Sequence, residues 1–226
     1  MPFSENPLDY NLLERLTQTF GPSGVEDVVT DLIRKEIQPY CDEIRTDALG
    51  NLIAIKKGTG KKIMIAAHAD EIGLMVTHID EKGFLRFTTI GGVYTRELPF
   101  RRVVFQNGIV GTIGVEKLDR PTDLKLDKLF IDIGATSRED ALSKVKIGDS
   151  CVFVGEFVKQ ESRITSKALD DRVGCFLGIE ALKRLQTDHE VYFVFTVQEE
   201  VGTRGAQTSA YVLEPDYAIS LDVTGT

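Results

Sequence analysis

The chain has 226 residues, with 27 basic against 35 acidic side chains and a formal net charge of -8 at pH 7. That balance argues against nucleic acid or an anionic membrane as the main partner. Hydrophobic residues make up 42% and charged residues 27%, which allows a packed core in one large domain or two smaller ones.

The stretch from Met1 to Tyr10 carries Pro2, Glu5 and Asp9 and no apolar run, so no secretory leader is expected. No stretch is long and apolar enough to predict a transmembrane helix. Apolar residues at Leu12, Leu13, Leu16 and Phe20 have helical spacing within residues 8–20. Gly21-Pro22-Ser23-Gly24 breaks that helix, and a second is predicted over residues 25–37, stopped by Pro39. A turn at residues 47–51 leads to strand 52–55, and Gly58-Thr59-Gly60 leads to strand 63–67.

From residue 72 to 158 the pattern changes to short alternating strands punctuated by glycines. Asn107-Gly108 is a hairpin signal, and one short helix is predicted near residues 138–145 with Ser137 as its cap. This predicts a small β-barrel or sandwich. After residue 162 a βα pattern returns: helix 172–185, strand 191–197, helix 205–213 and strand 217–221. Strand 191–197 is almost continuously apolar, as expected where helices cover both faces of a parallel sheet. The predicted fold class is therefore α/β, a mostly parallel sheet covered by helices and interrupted by an inserted small β-barrel. The predicted limits are 1–71 and 163–226 for the α/β domain and 72–162 for the insert. Cys41, Cys151 and Cys175 are far apart with no C-x-x-C pair, which fits a reducing cytosol better than a disulfide framework. Cys175 reads as a small hydrophobe.

Three polar elements follow apolar strands. They are His68-Ala-Asp70, Glu199-Glu200 and Asp222. A fourth, Asp170-Asp171, opens a helix, where carboxylates are favoured. Each has an ordinary reading on its own, as surface, cap or turn. Together they fall beyond the carboxyl ends of strands, where open α/β sheets collect ligands. Imidazole and carboxylates are a donor set for divalent metals, and one carboxylate can bridge two of them.

Ala66-Ala-His68-Ala-Asp70-Glu-Ile-Gly73, Ser166-Lys-Ala-Leu-Asp170-Asp171-Arg-Val-Gly174, Val197-Gln-Glu199-Glu200-Val-Gly and Leu221-Asp222-Val-Thr resemble the motifs of dinuclear-metal aminopeptidases. That family includes glutamyl, deblocking and tetrahedral aminopeptidases, and some members carry a cellulase or endoglucanase label. The resemblance spans nearly the whole chain, including Gly83-Phe-Leu-Arg-Phe-Thr-Thr-Ile-Gly-Gly92 in the insert. It implies a zinc-peptidase-like α/β domain, peptide substrates and two divalent ions, zinc or cobalt, per subunit. It also implies self-association through the insert, from dimer up to dodecamer. By the same resemblance Asp170 bridges the metals, His68 and Asp222 complete one site, and Glu200 serves the other. Glu199 is then the general base for a metal-activated water, and Asp70 orients His68. A cis peptide is expected between Asp170 and Asp171.

The family completes the Glu200 site with a histidine near the end of a longer chain. The histidines here are His68, His78 and His189, and the last two are expected on the surface or in loops. The chain is accordingly expected to be C-terminally truncated, with an exposed sheet edge and a weak second metal site. Two other readings stand beside this one. A non-catalytic chain that only assembles through its barrel is compatible with the missing histidine. A glycoside hydrolase would need two carboxylates flanking a sugar bond, which adjacent Glu199 and Glu200 do not offer, and it leaves His68 without a role.

Overall fold

The computed structural model describes residues 8–225, so most of the stretch read for a leader lies outside the described residues. In chain order the elements are α1 (Tyr10–Gln18), α2 (Asp27–Ile37), β1 (Glu43–Thr46), β2 (Leu52–Lys56), β3 (Lys62–His68), β4 (Gly73–Ile79), β5 (Leu85–Ile90), β6 (Arg102–Phe105), β7 (Val110–Val115), β8 (Leu129–Asp132), α3 (Arg138–Lys144), β9 (Ser150–Phe153), β10 (Val158–Gln160), β11 (Arg163–Thr165), α4 (Leu169–Arg184), β12 (Glu190–Thr196), α5 (Arg204–Leu213) and β13 (Tyr217–Ser220). They form two compact units, Met1–Glu71 with Glu156–Thr226, and Ile72–Gly155. The sequence carried the insert to residue 162. The unit ends at Gly155 instead, because β10 and β11 pair as a separate two-stranded ribbon and lie outside the barrel.

The first unit holds a mixed five-stranded sheet in the order β1-β2-β12-β3-β13. β12 and β13 both run parallel to β3, so the three strands that lead into His68, Glu199 and Asp222 end at the same edge. β2 joins β12 antiparallel and β1 pairs antiparallel with β2, which makes the sheet less parallel than the apolar run at 191–197 implied. That run is explained by its two faces. Phe193 and Phe195 pack with Leu12, Leu16, Ile33, Cys175 and Ile179 beneath α1, α2 and α4. Tyr192 and Val194 pack with Ile53, Met64 and Leu213 beneath α5. Side chains of a strand alternate between faces, so a strand covered on both is apolar along nearly its whole length.

Helix ends follow their local chemistry. The Asp9 carboxylate accepts from Asn11 N at 3.1 Å and starts α1, later than the apolar spacing suggested. In α4 the residues Asp170 and Asp171 have non-helical backbone angles, and the peptide between them is cis. β13 is an edge strand with Tyr217 62% and Ile219 50% exposed.

The second unit is a closed barrel in the order β4-β5-β8-β7-β6-β9. Its interior is filled by Leu74, Leu85, Phe87, Val103, Ile113 and Ile131 among others. Asn107-Gly108 turns β6 into antiparallel β7, with Gly108 at φ 87°. Ser137 caps α3 by accepting from Asp140 N. His78 is an exposed residue of β4.

Candidate metal centre

His68 is the last residue of β3 and is 3% exposed. Its backbone N–H donates to Asp171 Oδ2 at 3.1 Å, and its carbonyl accepts from the Cys175 thiol at 3.1 Å. Cys175 is thus more than a hydrophobe, since its S–H satisfies the strand end. The imidazole Nδ1 lies 3.2 Å from the Asp70 carbonyl oxygen and 3.5 Å from Asp70 Oδ1. Nε2 lies 3.0 Å from Asp170 Oδ1 and 3.8 Å from Glu199 Oε2. Burial alone would lower the His68 pKa, but hydrogen bonds to Asp170 and Asp70 and the charges of Asp70 and Asp171 carry it up to about 11.

Donor atoms of His68, Asp170 and Asp222 all lie within 4.8 Å of one another. His68 is buried while Asp170 and Asp222 are exposed, so the group opens toward solvent. One imidazole nitrogen and two carboxylate oxygens suit a divalent cation. A cavity of about 70 Å³ adjoins the group, lined by His68, Glu199, Thr203, Ala206, Ser220 and Asp222. Glu200 lies outside the three-residue group. Burial and the negative charge of Asp170 push its pKa up to about 7 despite the charge of His68. Burial also raises Glu199, opposed by His68 and reinforced by Asp70, Asp222 and Asp170. Asp171 is pushed up to about 7, first by burial, and against the charge of His68. His189, the remaining histidine of this unit, is exposed before β12 and accepts from Lys61 N through Nδ1 at 3.0 Å.

The loop that carries Glu199 and Glu200 is held by acceptors that sequence reading missed. Four successive backbone N–H groups each meet a side-chain oxygen. Val197 N donates to Asn51 Oδ1 at 3.0 Å, and Gln198 N to Glu26 Oε1 at 3.0 Å. Glu199 N donates to Asp70 Oδ1 at 3.0 Å, and Glu200 N to Asp70 Oδ2 at 3.1 Å. Asp70 also accepts from Ser23 Oγ at 2.6 Å. Burial raises the Asp70 pKa, but the hydrogen bonds from His68, Ser23 and Glu199 outweigh it and leave the group lowered, hence ionised. Ser23 and Glu26 fall where the sequence showed only a helix break and a helix start. Their polarity in a buried setting was the missing signal, and burial is not visible locally.

A second buried cluster braces the loops behind the site. Lys167 Nζ bonds both Glu71 oxygens at 2.9 and 2.8 Å. Arg172, fully buried, lies 3.5 Å from Glu71 and donates to the carbonyls of Leu16, Thr19 and Gly21.

The model of the M42 glutamyl aminopeptidases matches residues 50–226. A curated relative from Acetivibrio thermocellus is 54% identical over 219 residues, covering 96% of this chain and 66% of its own length. An aminopeptidase structure from the archaeon Desulfurococcus kamchatkensis superposes with a TM-score of 0.89 at 44% identity, covering 95% of this chain and 62% of that one. The TET1 peptidase of Pyrococcus horikoshii, which can assemble into a tetrahedron or a large octahedral shell, superposes with a TM-score of 0.87 at 39% identity, covering 94% of this chain and 68% of that one. The chain therefore spans just under two thirds of the first curated relative and of the Desulfurococcus structure. With the family model matched over residues 50–226, a stretch that holds all four motifs, the chain belongs to the M42 glutamyl aminopeptidase family.

Proposed function

We propose that the chain is a metal-dependent aminopeptidase that removes the N-terminal residue of peptides. The convergence of His68, Asp170 and Asp222 donor atoms within 4.8 Å, beside Glu199, carries this reading. His68 through Nε2, Asp170 and Asp222 would hold one divalent cation, and Asp170 with Glu200 a second. Such cations lower the pKa of water and polarise a carbonyl. The chain's own residues do the rest. Asp70 and its carbonyl hold Nδ1 so that Nε2 faces the site. Glu199, its pKa raised by burial, takes the proton of the attacking water and returns it to the leaving amine. Asp170 and Glu200 offer the second cation no imidazole nitrogen, so the first is bound tightly and the second weakly.

Family membership and the TET1 assemblies support self-association through the Ile72–Gly155 barrel. The unpaired thiols Cys41, Cys151 and Cys175 support a cytosolic setting. Among the described residues no helix is long and apolar enough to cross a membrane.

The test is release of p-nitroaniline from amino-acid p-nitroanilides with added Co²⁺ or Zn²⁺. Turnover should vanish with chelator and return with metal. Glu199→Gln should lower kcat by about 100- to 10,000-fold while Co²⁺ binding persists. Turnover that ignores chelator, or that Glu199→Gln leaves intact, would exclude the proposed mechanism.

A further inference from the structure

Glu26 takes no part in the metal chemistry proposed above, yet it is 7% exposed and aimed at the loop that carries two of its groups. Its Oε1 accepts from Gly24 N at 2.8 Å and from Gln198 N at 3.0 Å. Gln198 sits at φ 56°, a left-handed conformation that non-glycine residues seldom hold without support. The residue is fixed on both sides. Its N–H meets Glu26, and its carbonyl accepts from Arg204 N at 3.2 Å. The left-handed step lies where the chain leaves β12 and turns back. The next two N–H groups then both reach the one Asp70 carboxylate, so Glu199 and Glu200 project from a backbone fixed at every residue.

We infer that Glu26 is a positioning residue: its carboxylate holds Gln198 in the left-handed turn and thereby aims Glu199 and Glu200. Asn51 and Asp70 hold the residues on either side of it, and Glu26 supplies the acceptor at the strained step itself. The placement of the loop follows from contacts within this chain. What the aim is for, base and ligand, rests on the metal reading above, and the two can fail separately.

The experiment compares the unsubstituted chain with Glu26→Ala, Glu26→Asp and Glu26→Gln. Residue-resolved amide hydrogen exchange and calorimetric titration with Co²⁺ alone are the two readouts. Glu26→Ala, and Glu26→Asp with its charge kept but its reach shortened, should speed exchange at Gln198 at least about tenfold. They should weaken the second, Glu200-linked Co²⁺ event by about 10- to 100-fold. The first event, at His68, Asp170 and Asp222, should stay within about twofold. Glu26→Gln keeps a carbonyl oxygen at the same reach and should restore both readouts. Should Glu26→Ala fail to fold, Glu26→Asp against Glu26→Gln decides the matter. Exchange at Gln198 unchanged in Glu26→Asp would overturn the inference, as would equal weakening of both Co²⁺ events, which marks a general loss of structure. If no variant and no parent chain binds Co²⁺, the metal reading fails, and exchange at Gln198 still decides whether Glu26 sets the loop.

Discussion

At the scale of single residues the two nitrogens of His68 face different chemistry. Nδ1 faces the Asp70 carbonyl and carboxylate, and Nε2 faces Asp170 and Glu199. With no cation at Nε2, surrounding carboxylates hold the ring protonated, its pKa carried up to about 11. A cation must displace that proton, because imidazole binds metal only when neutral there. Glu200, at about 7, also carries a proton in part of the population near neutral pH. On the proposed assignment both groups would release protons on binding, so affinity should fall as pH falls. Calorimetry between pH 6 and pH 8 should show Co²⁺ affinity rising about tenfold per pH unit for each proton displaced. Buffers of different ionisation enthalpy should report proton release. A pH-independent affinity would contradict the assignment of His68.

At the scale of elements, the Val197–Glu200 turn and the start of α5 depend on close approach. Asn51 is fully buried and ties the turn to Asp47 at 2.7 Å and to Gly205 O at 3.2 Å. A Cβ at Gly205 would overlap Asn51 Oδ1 and the Val197 backbone. Gly205→Ala should therefore destabilise the chain by about 1–3 kcal/mol, read from urea unfolding. Arg172 gives a second expectation. It is fully buried, and its guanidinium satisfies one carbonyl of α1 and two of the α1–α2 connection and faces Glu71. Arg172→Ala should cost about 3–5 kcal/mol, since it strips partners from buried polar groups. An unfolding midpoint unchanged by either substitution would refute the corresponding contact. These elements also show what the sequence could tell. Strand ends at His68, Glu199 and Asp222 were legible because apolar runs end abruptly there. The three strands proved parallel, as the motif placement required. Glu26, Asn51 and Ser23 were not legible. Their partners lie 172, 146 and 47 residues away, and no local period marks a polar side chain that folds inward.

At the scale of the whole chain, two cores form independently of each other's residues, one under the α/β sheet and one within the barrel. The sequence signalled both through a change from helical to alternating periodicity near residue 72. The return boundary was less visible, because the β10–β11 ribbon has the texture of the barrel but lies outside it. The unit with the metal group also has an exposed edge, β13, with Tyr217 62% and Ile219 50% exposed. Unpaired edges with apolar side chains template association. Sedimentation of the 25.1 kDa chain should show species larger than a monomer, increasing with concentration. A single monomeric species at all concentrations would count against self-association. The central claim, a cation held by His68, Asp170 and Asp222, is most directly tested by calorimetric titration of Co²⁺ into the chain and into His68→Ala. One tight saturable event per chain, lost in His68→Ala, is the predicted result. No saturable binding, or binding of equal strength in both proteins, would contradict it.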